Sequence, residues 1–186
     1  LGGLLEKLLA KLSDSVRIRL SSMEPDHIDD RLLDVLTDKR MQPHFHIPVQ
    51  TGSDRLLKKV DRHYTVSELS AILDRLRRVK NDPFLAADII TGLPSERDED
   101  FAETRRFIID QQFSFLHVFP FSPRPDTPLY KARDRVAESV RDERALELRN
   151  LSEQLHHAYR LRQVGGGAEV ILQNRKGGHW YGLSGN

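Results

Sequence analysis

Four apolar runs in this chain end in residues that could bind or hold a ligand. Val16 to Leu20 runs into Ser21, Ser22 and Glu24, and residues 43–50 close on Gln50, Thr51, Gly52 and Ser53. FLAADIITG (84–92) ends in Thr91 and Gly92, with Glu96 just past Pro94, and FSFLHVFPFS (113–122) ends in Ser122 followed by Arg124. If these runs are parallel strands, their C-terminal ends share one rim, which is where α/β folds collect their chemistry. Taken singly, Ser22, Ser53 and Ser95 are explained by helix capping. Four polar strand ends together point to a site.

Imidazoles and a lone carboxylate lie within the same runs. His44 and His46 share one strand face and His117 lies inside the fourth run. With Glu24 or Asp88 they could ligate a metal through ring nitrogen and carboxylate oxygen. Their spacing matches no zincin or facial-triad pattern, so hydrogen-bonded histidines lining the sheet interior are the simpler expectation, and no metal site is assigned. Asp88 interrupts an otherwise apolar strand. Burying it costs several kcal/mol unless it is paired, so it requires a donor, either Arg19, Arg62 or Arg124, or a ligand. No residue is singled out as catalytic.

The C-terminal end has another character. Arg160, Arg162, Arg175 and Lys176 stand against Glu169, with Trp180 and Tyr181 among them. Cations beside exposed aromatics suit RNA, through phosphate contacts and base stacking. A solvated face over a small β core is an equal alternative.

The elements that must position these residues follow from periodicity. Residues 1–12 carry Leu4, Leu5, Leu8, Leu9 and Leu12 at helical spacing, and residues 27–37 repeat that spacing. Residues 43–50 alternate as a strand does. Thr65 and Glu68 form a capping box for a helix to about Lys80, and a further helix spans about Asp98 to Gln111. A long helix covers 139–164, Gly165 to Gly167 make a linker, and AEVILQ and HWYGL read as two strands. Strands alternating with helices imply an α/β fold with a parallel sheet, its strands buried on both faces. There is no GxGxxG after a strand and no P-loop.

Composition bounds the function. The 186 residues are 38% hydrophobic and 31% charged, with a net charge of +1, enough for a packed core but with no global attraction for nucleic acid or membrane. There is no cysteine, which excludes disulfides, thiolate nucleophiles and cysteine-held zinc or iron–sulfur clusters within the chain. No apolar run reaches 18 residues and no signal cleavage site follows the N-terminal helix, so a cytoplasmic location and no membrane partner are expected. The absence of an initiator Met suggests a piece of a longer protein.

RIRLSSMEP, PHFHIPVQTGSDRLLKKVDRHYT, DIITGLPSERDEDFAET and FLHVFPFSPRPDTP occur in that order. They closely resemble the tRNA methylthiotransferases, a family of radical S-adenosylmethionine (SAM) enzymes. Pairing RLSS-x-EP with HVFPFSPRP is most similar to the subgroup acting on N6-threonylcarbamoyladenosine 37 of tRNA. The resemblance implies the C-terminal part of a (β/α)6 partial TIM-like barrel. Residues 1–133 would be the barrel portion with its last four strands, 134–167 a connecting helix and glycine linker, and 168–186 the truncated start of an RNA-binding TRAM β-barrel. The first two barrel strands and an N-terminal domain would precede Leu1, and with them the CxxxCxxC motif and three further cysteines that hold the family's 4Fe-4S clusters. Without those ligands the chain is expected to be inactive by itself.

The resemblance implies a SAM-side set of residues. Ile90, Gly92 and Glu96 match the motif that approaches the adenine of SAM, with Gly92 leaving room for the ring. Ser22 and Glu24 fall toward its ribose and methionine, Gln50 and Arg62 toward its amino-acid end, and Phe121 and Ser122 near the adenine edge. Asp88, as a ligand contact, completes the set. The family's usual GFPGE and RPGTP are here interrupted by Ser95 and Asp126. The implied reaction abstracts hydrogen from C2 of the modified adenine and inserts a methylthio group whose methyl comes from a second SAM. Rival readings are a ribosomal-protein methylthiotransferase, a porphyrinogen oxidase, or a cluster-free half-barrel that binds RNA or a protein. A half-barrel with open edges and an exposed lumen is also expected to self-associate.

Overall fold

The computed structural model describes all 186 residues. Helix α1 (Gly2–Leu9) turns only Leu5 and Leu9 of its four leucines into the core; Leu4 and Leu8 are exposed. Its entry is set by Gly2, where a Cβ would meet the Leu32 backbone nitrogen at 3.0 Å. Helix α2 (Asp30–Leu36) begins where the Asp29 carboxylate accepts the Leu32 N–H at 2.7 Å. Then follow β1 (His44–Gln50), α3 (Asp54–Lys59), α4 (Val66–Val79), β2 (Phe84–Thr91), α5 (Asp98–Asp110), β3 (Phe115–Pro120) and the 26-residue α6 (Glu138–Gln163). The chain closes with β4 (Val170–Lys176) and β5 (His179–Ser184). The capping box of Thr65 and Glu68 opens α4 as anticipated.

β1, β2 and β3 form a parallel sheet in that order. The first strand expected, at Val16–Leu20, is reduced to an isolated parallel bridge from Ile18 to Met41, with a second just beyond it from Ser22 to His46. The register slips by one residue between them. In that slip the His44 N–H turns to the Gln42 carbonyl at 2.8 Å, so no continuous ladder forms.

The sheet is not buried on both faces, as its apolar strands suggested. Phe45, Ile47 and Val49 of β1, Leu85, Ala87 and Ile89 of β2, and Leu116 of β3 point into one core shared with α1, α2, α4 and α5. The alternate residues, His44, His46, Asp88, Ile90, His117 and Phe119, face the open side, where Phe119 is 51% exposed. Helix α6 covers the free edge of β3. The Ser152 hydroxyl accepts the Leu116 N–H at 2.8 Å and donates to the Leu116 carbonyl at 3.2 Å, supplying the rung that an adjacent strand would have supplied.

β4 and β5 make an antiparallel hairpin whose apolar residues, including Ile171, Leu172, Trp180 and Leu183, are all exposed. It is moored at the N-terminal end of the sheet. Arg17 pairs with Glu169, Arg19 donates to the carbonyls of Ser184 and Gly185, and Asn186 donates to the Tyr159 hydroxyl at 2.8 Å.

Candidate cofactor and substrate site

The three strand ends are fastened differently. After β1, Gln50 adopts φ +70°, and the chain then packs against α5. Gly52 is required there, since a Cβ would lie 2.8 Å from both Phe107 Cβ and Thr104 Cα. Thr104 Oγ1 accepts the Gly52 N–H at 3.0 Å, and Ser53 donates to Asp100 at 2.8 Å instead of capping α3. Ser22 and Ser95 do not cap either. Ser22 faces His46, and Ser95 accepts a hydrogen bond from Lys59.

After β2 the chain turns on Gly92, at φ +73°. A side chain here would suffer the left-handed backbone and would also strike Arg141 of α6, whose Cβ lies 2.7 Å from the Cβ position. The need for glycine, assigned above to an approaching adenine, is thus met within the protein. Glu96 fills the turn. Its carboxylate accepts the N–H groups of Gly92 at 3.1 Å and Leu93 at 3.3 Å, and the Arg144 guanidinium at 2.7 Å. Burial pushes the Glu96 carboxyl up, while those N–H groups and Arg144 oppose it by holding the charged form. The Glu96 carboxylate is thus engaged by the Gly92 turn and by Arg144. Arg144 lies on α6, whose sequence reads as a solvated helix; the signal for it is Glu96, a buried acid in need of a cation.

Ser95 and Asp126, at the two positions where the resemblance implies glycine, adopt left-handed geometry, at φ +60° and +63°. Ser95 is held by its N–H to the Asp134 carbonyl at 2.6 Å.

One layer below the rim a polar row crosses the open face. Ser22 Oγ lies 3.5 Å from His46 Nδ1, and His46 Nε2 lies 2.7 Å from Asp88 Oδ1. The His117 ring stacks at a tilt on His46, centroids 4.9 Å apart. An ionised Asp88 accepts only, so the His46 proton is assigned to Nε2 and Nδ1 is left as an acceptor. The donor that Asp88 requires is therefore His46. Arg19 goes to the hairpin carbonyls, Arg62 to Glu24 at 2.7 Å, and Arg124 to nothing in the chain. Nor do the histidines and acids gather into a group that could hold a metal. His44 stacks on Phe84 at 4.8 Å with Nδ1 buried and unpartnered, and burial lowers its pKa to about 4.

Above this row the rim opens into a cleft of ≈390 Å³. Gln50, Asp88, Ile90, Phe121 and Ser122 of the anticipated set all line it, together with Phe119 and Arg124. Ser22 and Glu24 line a separate cleft of ≈560 Å³ beside α2. Arg62 is committed to Glu24, and Gly92 and Glu96 to the turn. The cleft combines apolar surface from Ile90 and the phenylalanines with the Gln50 amide, the Ser122 hydroxyl and one Asp88 oxygen, a surface suited to a nucleoside.

Residues 2–108 match the Radical SAM superfamily model, and the chain belongs to that superfamily. Among curated proteins it is 39% identical over 157 residues to the threonylcarbamoyladenosine tRNA methylthiotransferase MtaB of Treponema pallidum. It is 35% identical to MtaB of Thermotoga maritima over 180 residues and 41% identical to MtaB of Bacillus subtilis over 159. These alignments cover 84%, 96% and 82% of this chain but only 32%, 40% and 35% of the relatives, so the chain spans about a third of their length. Among solved structures it resembles coproporphyrinogen III oxidase HemN of Escherichia coli, with a TM-score of 0.67 and 20% identity over 82% of this chain and 36% of that one. It also resembles the radical SAM methyltransferase TsrM of Kitasatospora setae, with a TM-score of 0.58 and 16% identity over 69% of this chain and 26% of that one. These two likenesses establish the α/β radical SAM fold. The superfamily uses SAM and 4Fe-4S clusters; this chain has no cysteine to hold a cluster.

Proposed function

We propose that this chain is the SAM- and substrate-side part of an enzyme that inserts a methylthio group at C2 of N6-threonylcarbamoyladenosine in tRNA. The observation that carries the reading is the rim cleft, where Ile90, Asp88, Gln50 and Ser122 converge beside the Gly92 turn in a chain with methylthiotransferase relatives. SAM, when bound, supplies the methyl group and the fragment that abstracts hydrogen. The residues present fit SAM: Ile90 gives an apolar face for adenine, Gln50 and Ser122 offer polar edges, and Glu96 and Arg144 hold the turn that borders them. They do not fit a cluster, because no thiolate is available, and no step of the chain's own is routed through one. What the cleft does is orient a nucleoside and exclude water from it.

The exposed hairpin with Trp180 and Tyr181 is read as the start of a TRAM-like RNA-binding module, which makes tRNA the partner. No helix is long and apolar enough to cross a membrane, which accords with a cytoplasmic site of action on tRNA. Self-association of the isolated chain through its open face belongs to the same reading, and a clean monomer in light scattering at high concentration counts against it. The absence of cysteine favours a second reading, a cluster-free module that binds RNA without modifying it.

The test is nucleoside analysis of tRNA from cells with and without the gene encoding this chain. Loss of the 2-methylthio form of N6-threonylcarbamoyladenosine on deletion, restored by the gene, supports the enzyme. An unchanged nucleoside profile with retained tRNA binding supports the second reading.

A further inference from the structure

A second cleft, of ≈360 Å³, adjoins the first between the C-terminal end of α3 and the loop after β3. Phe121, Ser122 and Arg124 form the wall the two share. The far wall is aliphatic, built from Val60, Pro128 and Leu129. The cations at this rim are not equivalent. Lys59 is neutralised by Asp134 at 2.6 Å, and Arg62 by Glu24 at 2.7 Å. Arg124 is exposed, lines both clefts, and its guanidinium makes no hydrogen bond or ion pair within the chain; Asp61, the acid in the second cleft, does not bond to it. An unpaired guanidinium beside a short aliphatic wall is the chemistry of a site for a small carboxylate-bearing aliphatic group, because the planar fork matches a carboxylate and the wall accepts a methyl group.

We infer that the second cleft holds the threonylcarbamoyl group of the substrate nucleoside, with Arg124 binding its carboxylate. This rests on the reading under Proposed function and adds how the substrate would be told from an adenosine lacking that group. The base then lies along the shared Phe121 and Ser122 wall. A carboxylate gains a charge-assisted, bidentate hydrogen bond to the guanidinium that the uncharged analogue cannot make, so the two differ in affinity.

Calorimetric titration of the 186-residue chain with free N6-threonylcarbamoyladenosine, its methyl ester and adenosine 5′-monophosphate tests this. The acid is expected to bind roughly tenfold more tightly than the ester, Arg124→Gln to abolish the difference, and Arg124→Lys to retain part of it, as a point charge without the fork. Equal binding of acid and ester, a preference that survives in Arg124→Gln, or no binding of any nucleoside overturns the inference. An Arg124-dependent preference for the monophosphate over the acid also overturns it, and identifies Arg124 as a contact for tRNA backbone phosphate. The acid–ester comparison on the unaltered chain stands whether or not the variants fold. Loss of the acid preference with 2-methylthio product still present in tRNA removes only this inference, whereas absence of the product removes the reading beneath it.

Discussion

His46 Nε2 and Asp88 Oδ1 are 2.7 Å apart across the β1–β2 pair, on the face of the sheet opposite the main core. Each satisfies the other where both would be costly alone. The carboxylate obtains a donor without a buried cation, and the imidazole is held in one tautomer facing Ser22.

That tautomer is directly measurable. Long-range proton–nitrogen correlation at neutral pH is expected to show His46 protonated on Nε2. Asp88→Asn should release it to a mixture and destabilise the fold by about 1–2 kcal/mol in urea titration, the scale of a lost charge-assisted hydrogen bond. An unchanged tautomer in the variant would contradict the pairing.

Arg144 and Glu96 are a buried pair, with side chains 7% and 4% exposed. Removing one partner strands the other's charge, so Arg144→Met is expected to cost about 3–5 kcal/mol. The double variant Arg144→Met with Glu96→Gln should cost clearly less than the sum of the two single variants. Additive losses would mean that the pair does not couple.

Acid should weaken the fold through His44. Its pKa is lowered from 6.5 to about 4 by burial, so the unfolded chain takes up the proton first. The contribution is fully present above pH 6.5 and is lost as pH falls from there through about 4. Urea midpoints should decline across that window, and His44→Phe, which keeps an aromatic partner for Phe84, should flatten the decline. A slope unaffected by that substitution would place the titration elsewhere.

The hairpin offers Arg175 with its guanidinium 5.7 Å from the centre of an exposed Trp180 ring. If tRNA binds here, Trp180→Ala should weaken binding by about 1–3 kcal/mol through lost stacking. Arg175→Gln should reduce the salt dependence by roughly one phosphate contact. Filter binding over a range of salt concentrations checks both, and unaltered slopes would remove the hairpin from the RNA interface.

Much of the site was legible in the chain. The polar strand ends placed Gln50 and Ser122 near one rim, the charge in an apolar strand singled out Asp88, the resemblance added Ile90, and the motif order was sufficient to recognise the superfamily. Less legible was what each side chain does once there. Ser53 and Ser95 look like caps and serve instead as partners of Asp100 and Lys59. Glu96 looks like a ligand residue and is consumed by its own turn. Arg144 gave no local sign, since its partner lies 48 residues away in sequence.

The sequence by itself determined most of the elements, their order and the parallel sheet, because helix and strand periods, caps and turns are local properties that neighbouring residues encode. Only the tertiary structure decided that Asp88 pairs with His46 and not with an arginine, that the Val16–Leu20 segment contributes one isolated bridge, with a second at Ser22, and not a strand, and that Arg124 is the rim cation left without a partner. Those outcomes depend on which side chains from distant segments reach the same few ångströms, and on which competing partners are already engaged.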